Sequence, residues 1–225
     1  MKEPWCIPEV SAEFVACIED VLERYAEPSD ARRPKVNFDE TSKQLIKETR
    51  TRLPAQPGQP ERFDYEYERE GTRNLFRFTE PQAGFRHVNV TAQRTMRDFA
   101  QQMKWLVDEA YPQAEVIRLV MDNLNTHKTA SLYEALAPEE ARRIIKKLEF
   151  HYTPKHGSWL NMAEIELSVL QRQCLNRRLP DEATLVHQVA AWEKERNEKQ
   201  ATIDWRFSVT DAREKLKRLY PSRSS

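Results

Sequence analysis

Three widely separated acids carry residue types suited to metal-assisted chemistry. Asp39 lies near the end of a short β-type run, Lys35-Val36-Asn37-Phe38-Asp39-Glu40-Thr41. Asp122, followed by Asn123, ends a longer run that begins at Val116. A third acid, Glu164 or Glu166, sits in a helix-like segment after an extended run from His151. Carboxylates are hard oxygen donors, the ligands Mg²⁺ prefers. Two strand-end aspartates plus a helix glutamate suit a pair of ions about 3.5–4 Å apart, holding both the attacking and the leaving oxygen of an in-line phosphoryl transfer. Taken singly, each acid has a plainer reading: Asp122 before Asn123 caps a turn, Asp39 ends a strand, and Glu164 is a solvated helix residue. It is the set that points to chemistry.

The elements that must position these acids follow from periodicity. Residues 151–168, HYTPKHGSWLNMAEIELS, run extended to Pro154 and turn at Gly157-Ser158; with Ser158 as N-cap, a helix then begins. Leu160, Ala163, Leu167, Leu170 and Cys174 make one core-facing stripe, and Glu164 and Glu166 flank it on either side, so spacing does not choose between them. Upstream, 10–26 reads as an amphipathic helix. The runs 73–79 and 86–90 alternate like half-buried strands around a turn at Pro81 to Gly84. Helices are expected over 95–111, 129–136, 138–147 and 181–197, with a strand at 148–152 and a basic helix at 211–219. The run into Asp122 is nearly all apolar, as in a strand covered on both faces. Residues 42–71 hold three prolines and many charges and read as a mobile insertion. The order of elements implies a mixed α/β sheet.

Composition narrows the class. The chain has 225 residues, 32% charged and 39% apolar, which excludes disorder and allows one substantial core. Equal numbers of basic and acidic residues, 36 each, argue against a simple DNA-coating module but not against local basic patches around an acidic site. Four glycines leave no phosphate-cradling glycine-rich loop. Three cysteines form no pairable framework, no signal-peptide core fits the start, and no apolar run reaches membrane length; a reducing cytoplasm is the expected setting.

Three segments together resemble the catalytic domain of DDE transposases, in particular the bacterial 630 family of insertion sequences, which is related to the Tc/mariner elements. They are Phe38-Asp39-Glu40-Thr41, the run Met121-Asp122-Asn123-Leu124-Asn125-Thr126-His127, and 152–166, YTPKHGSWLNMAEIE. The resemblance implies an RNase H-like fold with a mixed five-stranded sheet flanked by helices. It implies that Asp39, Asp122 and Glu164 are the catalytic metal ligands, since the family pattern Leu-Asn, two residues, Glu falls on Leu160, Asn161 and Glu164. Two Mg²⁺ ions are implied, with Mn²⁺ substituting: Asp39 bridging both, Asp122 on the nucleophile's side and Glu164 on the leaving oxygen's side. The implied activity is DNA cleavage and strand transfer, by a homodimer acting on transposon ends and on a TA target.

On that reading, 1–33 is an N-terminal helix and linker, 34–200 the catalytic domain with its insertion at 42–71, and 201–225 a basic tail helix. The family's end-binding helix-turn-helix region is then expected from another reading frame, or the chain is a truncated remnant acting as a DNA-binding or dimerising regulator. A plain RNase H-like nuclease is the other alternative. Asn123, Asn125, His127, Lys155 and His156 are candidate DNA contacts, with Asn123, Asn125 and His127 equally readable as support for the metal ligands or the turn. His151 and His156 lack the partners and spacing of a zinc site.

Overall fold

Alternation of Val36 and Phe38 with Lys35, Asn37 and Asp39 dictates a strand with two different faces. In the computed structural model, which describes residues 11–50, 53–60, 62, 64–124 and 126–221, that strand is β1 (Lys35–Glu48). It pairs antiparallel with β2 (Tyr67–Glu80), which pairs antiparallel with β3 (Phe85–Thr91). On its other edge β1 runs parallel to β4 (Ile117–Met121), and β4 parallel to β5 (Leu148–Tyr152). The sheet order is β3-β2-β1-β4-β5, the five-stranded mixed sheet expected. Every residue of β4 is buried.

The first hairpin departs from expectation. The β1–β2 ladder runs on to Glu48↔Tyr67, with a bulge between Gln44 and Ile46, so 42–48 and 67–71 are paired strand rather than part of an insertion. Ladder hydrogen bonds need no apolar side chains, and this stretch buries Leu45 while leaving most of its neighbours half-buried or exposed, which hides it from a search for alternation. Between these strands the described residues make the isolated bridges Leu53↔Arg62 and Gln56↔Gln59.

Helices are set by their caps. Ser11 caps α1 (Ala12–Ala26) through Phe14 N–H. Thr95 and Asp98 form a capping box for α2 (Met96–Trp105), which continues as a π-helical turn to Ala110. Then come α3 (Ala130–Ala135) and α4 (Pro138–Lys147); the latter has proline and two glutamates in its first turn and lysines in its last. Next are α5 (Met162–Leu170), extended by a π-helical turn to Leu175, α6 (Glu182–Glu198) capped by Asp181, and α7 (Val209–Lys215). Ser158 does not cap α5. It opens a separate 3₁₀ turn, Ser158–Leu160, and Asn161 is the cap, because its side chain is the one within reach of Ala163 N–H. The expected tail helix is likewise split, α7 being followed by a 3₁₀ turn, Lys217–Leu219.

The two faces of β1 bury different layers. Val36 and Phe38 join Phe76, Phe78, Phe99, Leu119 and Met121 in a core covered by α2, α3 and α4. On the opposite face α1 and the C-terminal segment cover Val120, Leu160 and Met162, and further along α6 covers Leu45, Leu75 and Val88. Asp39, in step with Lys35 and Asn37, belongs to this second face.

Candidate active site

The site starts from strand register. Parallel pairing of Asn37 with Val120 sets Asp39 and Asp122, each two residues further on, level with one another where β4 ends; β1 itself runs on to Glu48, so Asp39 lies within its strand rather than at the strand end expected. Asp39 Oδ1 accepts the Glu40 N–H at 2.8 Å, and Oδ2 lies 3.5 Å from Arg77 Nη2 on the directly opposed position of β2. Burial pushes the Asp39 carboxyl up, to about 6; Arg77 and the Glu40 N–H oppose this, and the Asp122 and Glu164 carboxylates add to it. Arg77 is 2% exposed, and burial lowers its guanidinium to about 10 against the pull of Asp39, Glu166 and Glu164. The other two predicted acids, Asp122 and Glu164, therefore act electrostatically on Asp39.

Glu164 and Glu166, left open by spacing, have different surroundings. Glu166 is 1% exposed, its Oε1 2.6 Å from Arg196 Nη2 and its Oε2 3.3 Å from Arg86 Nε. Arg86, itself fully buried, also donates to the carbonyls of Gly84, Arg196 and Ala201. Glu166 is thus consumed in a buried ion network that ties α5 to β3 and α6. Glu164 is half-buried in the first turn of α5, where the helix dipole favours negative charge, and acts on Asp39.

Asp122 is held by His127. The imidazole is fully buried, 5.1 Å from the Phe99 ring in a stack and edge-on to Phe38 at 5.2 Å. Its Nδ1 bonds the Asp122 carbonyl at 3.2 Å and makes an ionic contact with Oδ1 at 2.5 Å, while Nε2 lies 3.6 Å from Glu40 Oε2. Burial alone would lower this imidazole; the Asp122 and Glu40 carboxylates overcome it and raise it to about 9. His127 is therefore not a DNA contact as the sequence allowed: it has no exposed surface, and it supports Asp122 from below. Asn123, Lys155 and His156 are exposed, the last at a left-handed φ of 64° on the turn after β5. Asn125 lies outside the described residues. His151 is a packing residue, bonded to Asp20 at 2.7 Å and Glu149 at 3.0 Å.

The donor set fits a hard divalent cation. Asp39, Asp122 and Glu164 are all carboxylates, the hard oxygen donors such an ion takes, and Asp39, buried beside two like charges, is a carboxyl whose ionised form wants a cation. Among the described residues, however, no three acidic, histidine or cysteine side chains converge closely enough to hold an ion, so the carboxylates are not gathered about a common point. A separate cavity of about 310 Å³, lined by Lys35, Asn37, Met162 and Trp205, opens toward the start of β1, away from Asp122. Arg77 is the part that the sequence did not point to, while Glu40 and Asn161 stand in the motifs without their contacts, to His127 and to the Phe38 carbonyl, being foreseeable. Arg77 is found only through the Asp39↔Arg77 register, which no local pattern encodes.

A family profile described as DDE superfamily endonuclease matches residues 34–186. No curated protein matches the sequence. Among solved structures, the Mos1 mariner paired-end complex with Mn superposes with a TM-score of 0.56 at 14% identity, covering 97% of this chain and 65% of that one. The Mos1 strand transfer complex gives 0.52 at 14% identity, covering 89% of this chain and 65% of that one. The Mos1 paired-end complex with Mg gives 0.50 at 16%, with the same coverages of 89% and 65%. The chain thus spans about two-thirds of the length of these structural relatives. At such identities the likeness is one of fold: the mixed sheet with its flanking helices is RNase H-like.

Proposed function

Because the chain belongs to the DDE superfamily of endonucleases, we propose that it is a transposase catalytic domain that cleaves DNA strands and joins them to a target, using divalent cations at Asp39, Asp122 and Glu164. What supports this reading is the parallel register that sets Asp39 of β1 level with Asp122, just past β4, with Asp122 and Glu164 near enough to add to the rise of the buried Asp39 carboxyl to about 6. The three carboxylates would hold the ions, and they must draw together to do so. A pair of divalent ions supplies, when bound, activation of the attacking hydroxyl and neutralisation of the phosphate charge. The chain's own residues do the positioning. His127 orients Asp122. Arg77 offsets the charge on Asp39. Asn123, Lys155 and His156, exposed on the loops after β4 and β5, would contact the DNA backbone.

The Mos1 structures named above are a paired-end and a strand transfer complex, which favours joining over hydrolysis alone. The proposal extends to two Mg²⁺ ions replaceable by Mn²⁺, a homodimer on transposon ends, a TA target, cytoplasmic residence, and an end-binding helix-turn-helix region from another reading frame. No helix among the described residues is long and apolar enough to cross a membrane. The test is nicking of supercoiled plasmid with Mg²⁺ or Mn²⁺ by the wild type and by Asp39→Ala, Asp122→Ala and Glu164→Ala. Each substitution is expected to abolish cleavage; wild-type cleavage by any of them removes that residue from the site. Strand transfer of pre-cut ends separates a transposase from a plain nuclease.

A further inference from the structure

The cap of α5 does more than start a helix. Asn161 is 2% exposed, and its Nδ2 donates to the carbonyl of Phe38 at 2.8 Å, the peptide that leads directly into Asp39. Its Oδ1 accepts from Ala163 N–H at 3.0 Å, and its carbonyl accepts from Glu164 N–H at 2.9 Å. One buried side chain therefore bridges the backbone of the Asp39 strand and the first turn of the Glu164 helix.

That bridge has its own support. Asn37, fully buried on β1, directs its Nδ2 to Asn161 Oδ1 at 3.2 Å and to the hydroxyl of Tyr25 on α1. The Tyr25 hydroxyl donates to the Leu160 carbonyl at 2.9 Å and accepts from Met162 N–H at 3.4 Å, so it grips the residues on both sides of Asn161. Its single donor and two acceptors are all used. Trp205 of the C-terminal segment packs edge-on against the Tyr25 ring at 5.3 Å. Tyr25 and Trp205 both lie outside the matched residues 34–186.

We propose that Asn161 and Tyr25 are positioning residues for the metal site: Asn161 sets Glu164 against Asp39, and Tyr25 holds Asn161 in register, which makes α1 part of the frame of the site. The inference rests on the reading of Asp39, Asp122 and Glu164 as metal ligands. Buried polar links of this kind fix one geometry because every alternative leaves a polar group unpaired, and partners that orient metal ligands typically contribute 10–100-fold to affinity.

The test measures Mn²⁺ affinity of the full chain by the electron paramagnetic resonance signal of the free ion, alongside thermal unfolding. Asn161→Ser keeps a capping oxygen but does not reach Phe38, and Tyr25→Phe removes one hydroxyl. Val189→Ala, in the α6 core, is the control for lost stability. Asn161→Ser is expected to weaken Mn²⁺ binding about tenfold, Tyr25→Phe several-fold, and raised Mn²⁺ restores cleavage in both. Val189→Ala lowers the melting temperature and leaves affinity unchanged. Wild-type affinity in both Asn161→Ser and Tyr25→Phe, or an equal loss in Val189→Ala, overturns the positioning role while leaving the metal site standing. Absence of Mn²⁺ binding by the wild type overturns the site and the inference together. If Asn161→Ser does not fold, Tyr25→Phe decides the question alone.

Discussion

Glu164 and Glu166 stand two residues apart on one helix, and the structure assigns them opposite fates when each is replaced by alanine. Removing the Glu166 carboxylate strands two guanidinium groups, of which Arg86 is fully buried and held among carbonyls. Breaking a buried ion pair by deleting one partner costs about 3–5 kcal/mol, most of it from the charge left behind. For a chain of this size each kcal/mol shifts the melting temperature by roughly 2–4 °C, so Glu166→Ala is expected to melt roughly 6–20 °C lower. Glu164 is half-buried, and no described residue hydrogen-bonds its carboxylate; Glu164→Ala should change stability by no more than about 0.5 kcal/mol, as surface substitutions usually do. Its deletion relieves repulsion at Asp39. Activity runs the other way: Glu164→Ala abolishes Mn²⁺-dependent nicking, whereas Glu166→Ala, assayed below its melting point, retains it. Circular dichroism melts and plasmid nicking on the same preparations give both readouts. A stable, inactive Glu166→Ala beside an unstable, active Glu164→Ala would refute the assignment outright.

Other consequences are as direct. His127→Asn removes the imidazole beside Asp122 and is expected to weaken Mn²⁺ binding by about 10–100-fold, measured by isothermal titration. Gly84 has φ +67°, and a Cβ there would meet the Gln200 backbone at 2.6 Å; Gly84→Ala therefore combines backbone strain with a clash against main chain, and should cost about 2 kcal/mol or more in a urea melt. Hydrogen bonds from Arg143, with help from Lys104, hold the Asp108 carboxyl down at about 2. A depressed carboxyl stabilises the fold above its ordinary value near 4 and loses that contribution as pH falls toward 2. Arg143→Ala should melt slightly lower than wild type at pH 7, with the gap closing by pH 2.5; an unchanged gap would contradict the pairing.

What sequence made legible was set by short-range rules. Apolar spacing placed α1 within two residues, and the nearly continuous apolar run into Asp122 marked β4 as a central strand. Capping chemistry misled at Ser158, because two candidate caps lie three residues apart and only the packed chain decides which one reaches a free N–H. The polar half of β1 was missed because its stability comes from a ladder whose pairs, from Ser42↔Asn74 to Glu48↔Tyr67, are far apart in sequence. The proposed acids stand in recognisable sequence motifs. What surrounds them was not legible: Arg77 reaches Asp39 through cross-strand register, and Glu166 is diverted from the site by Arg86 and Arg196, residues 80 and 30 positions away in sequence.

The decisive measurement is anomalous diffraction at the manganese edge from crystals of the protein grown with Mn²⁺. Peaks should appear between Asp39, Asp122 and Glu164, with the three carboxylates drawn together from their present spacing and His127 still against Asp122. Manganese bound elsewhere, or carboxylates that stay apart at saturating Mn²⁺, would contradict the claim that these three acids form one metal site.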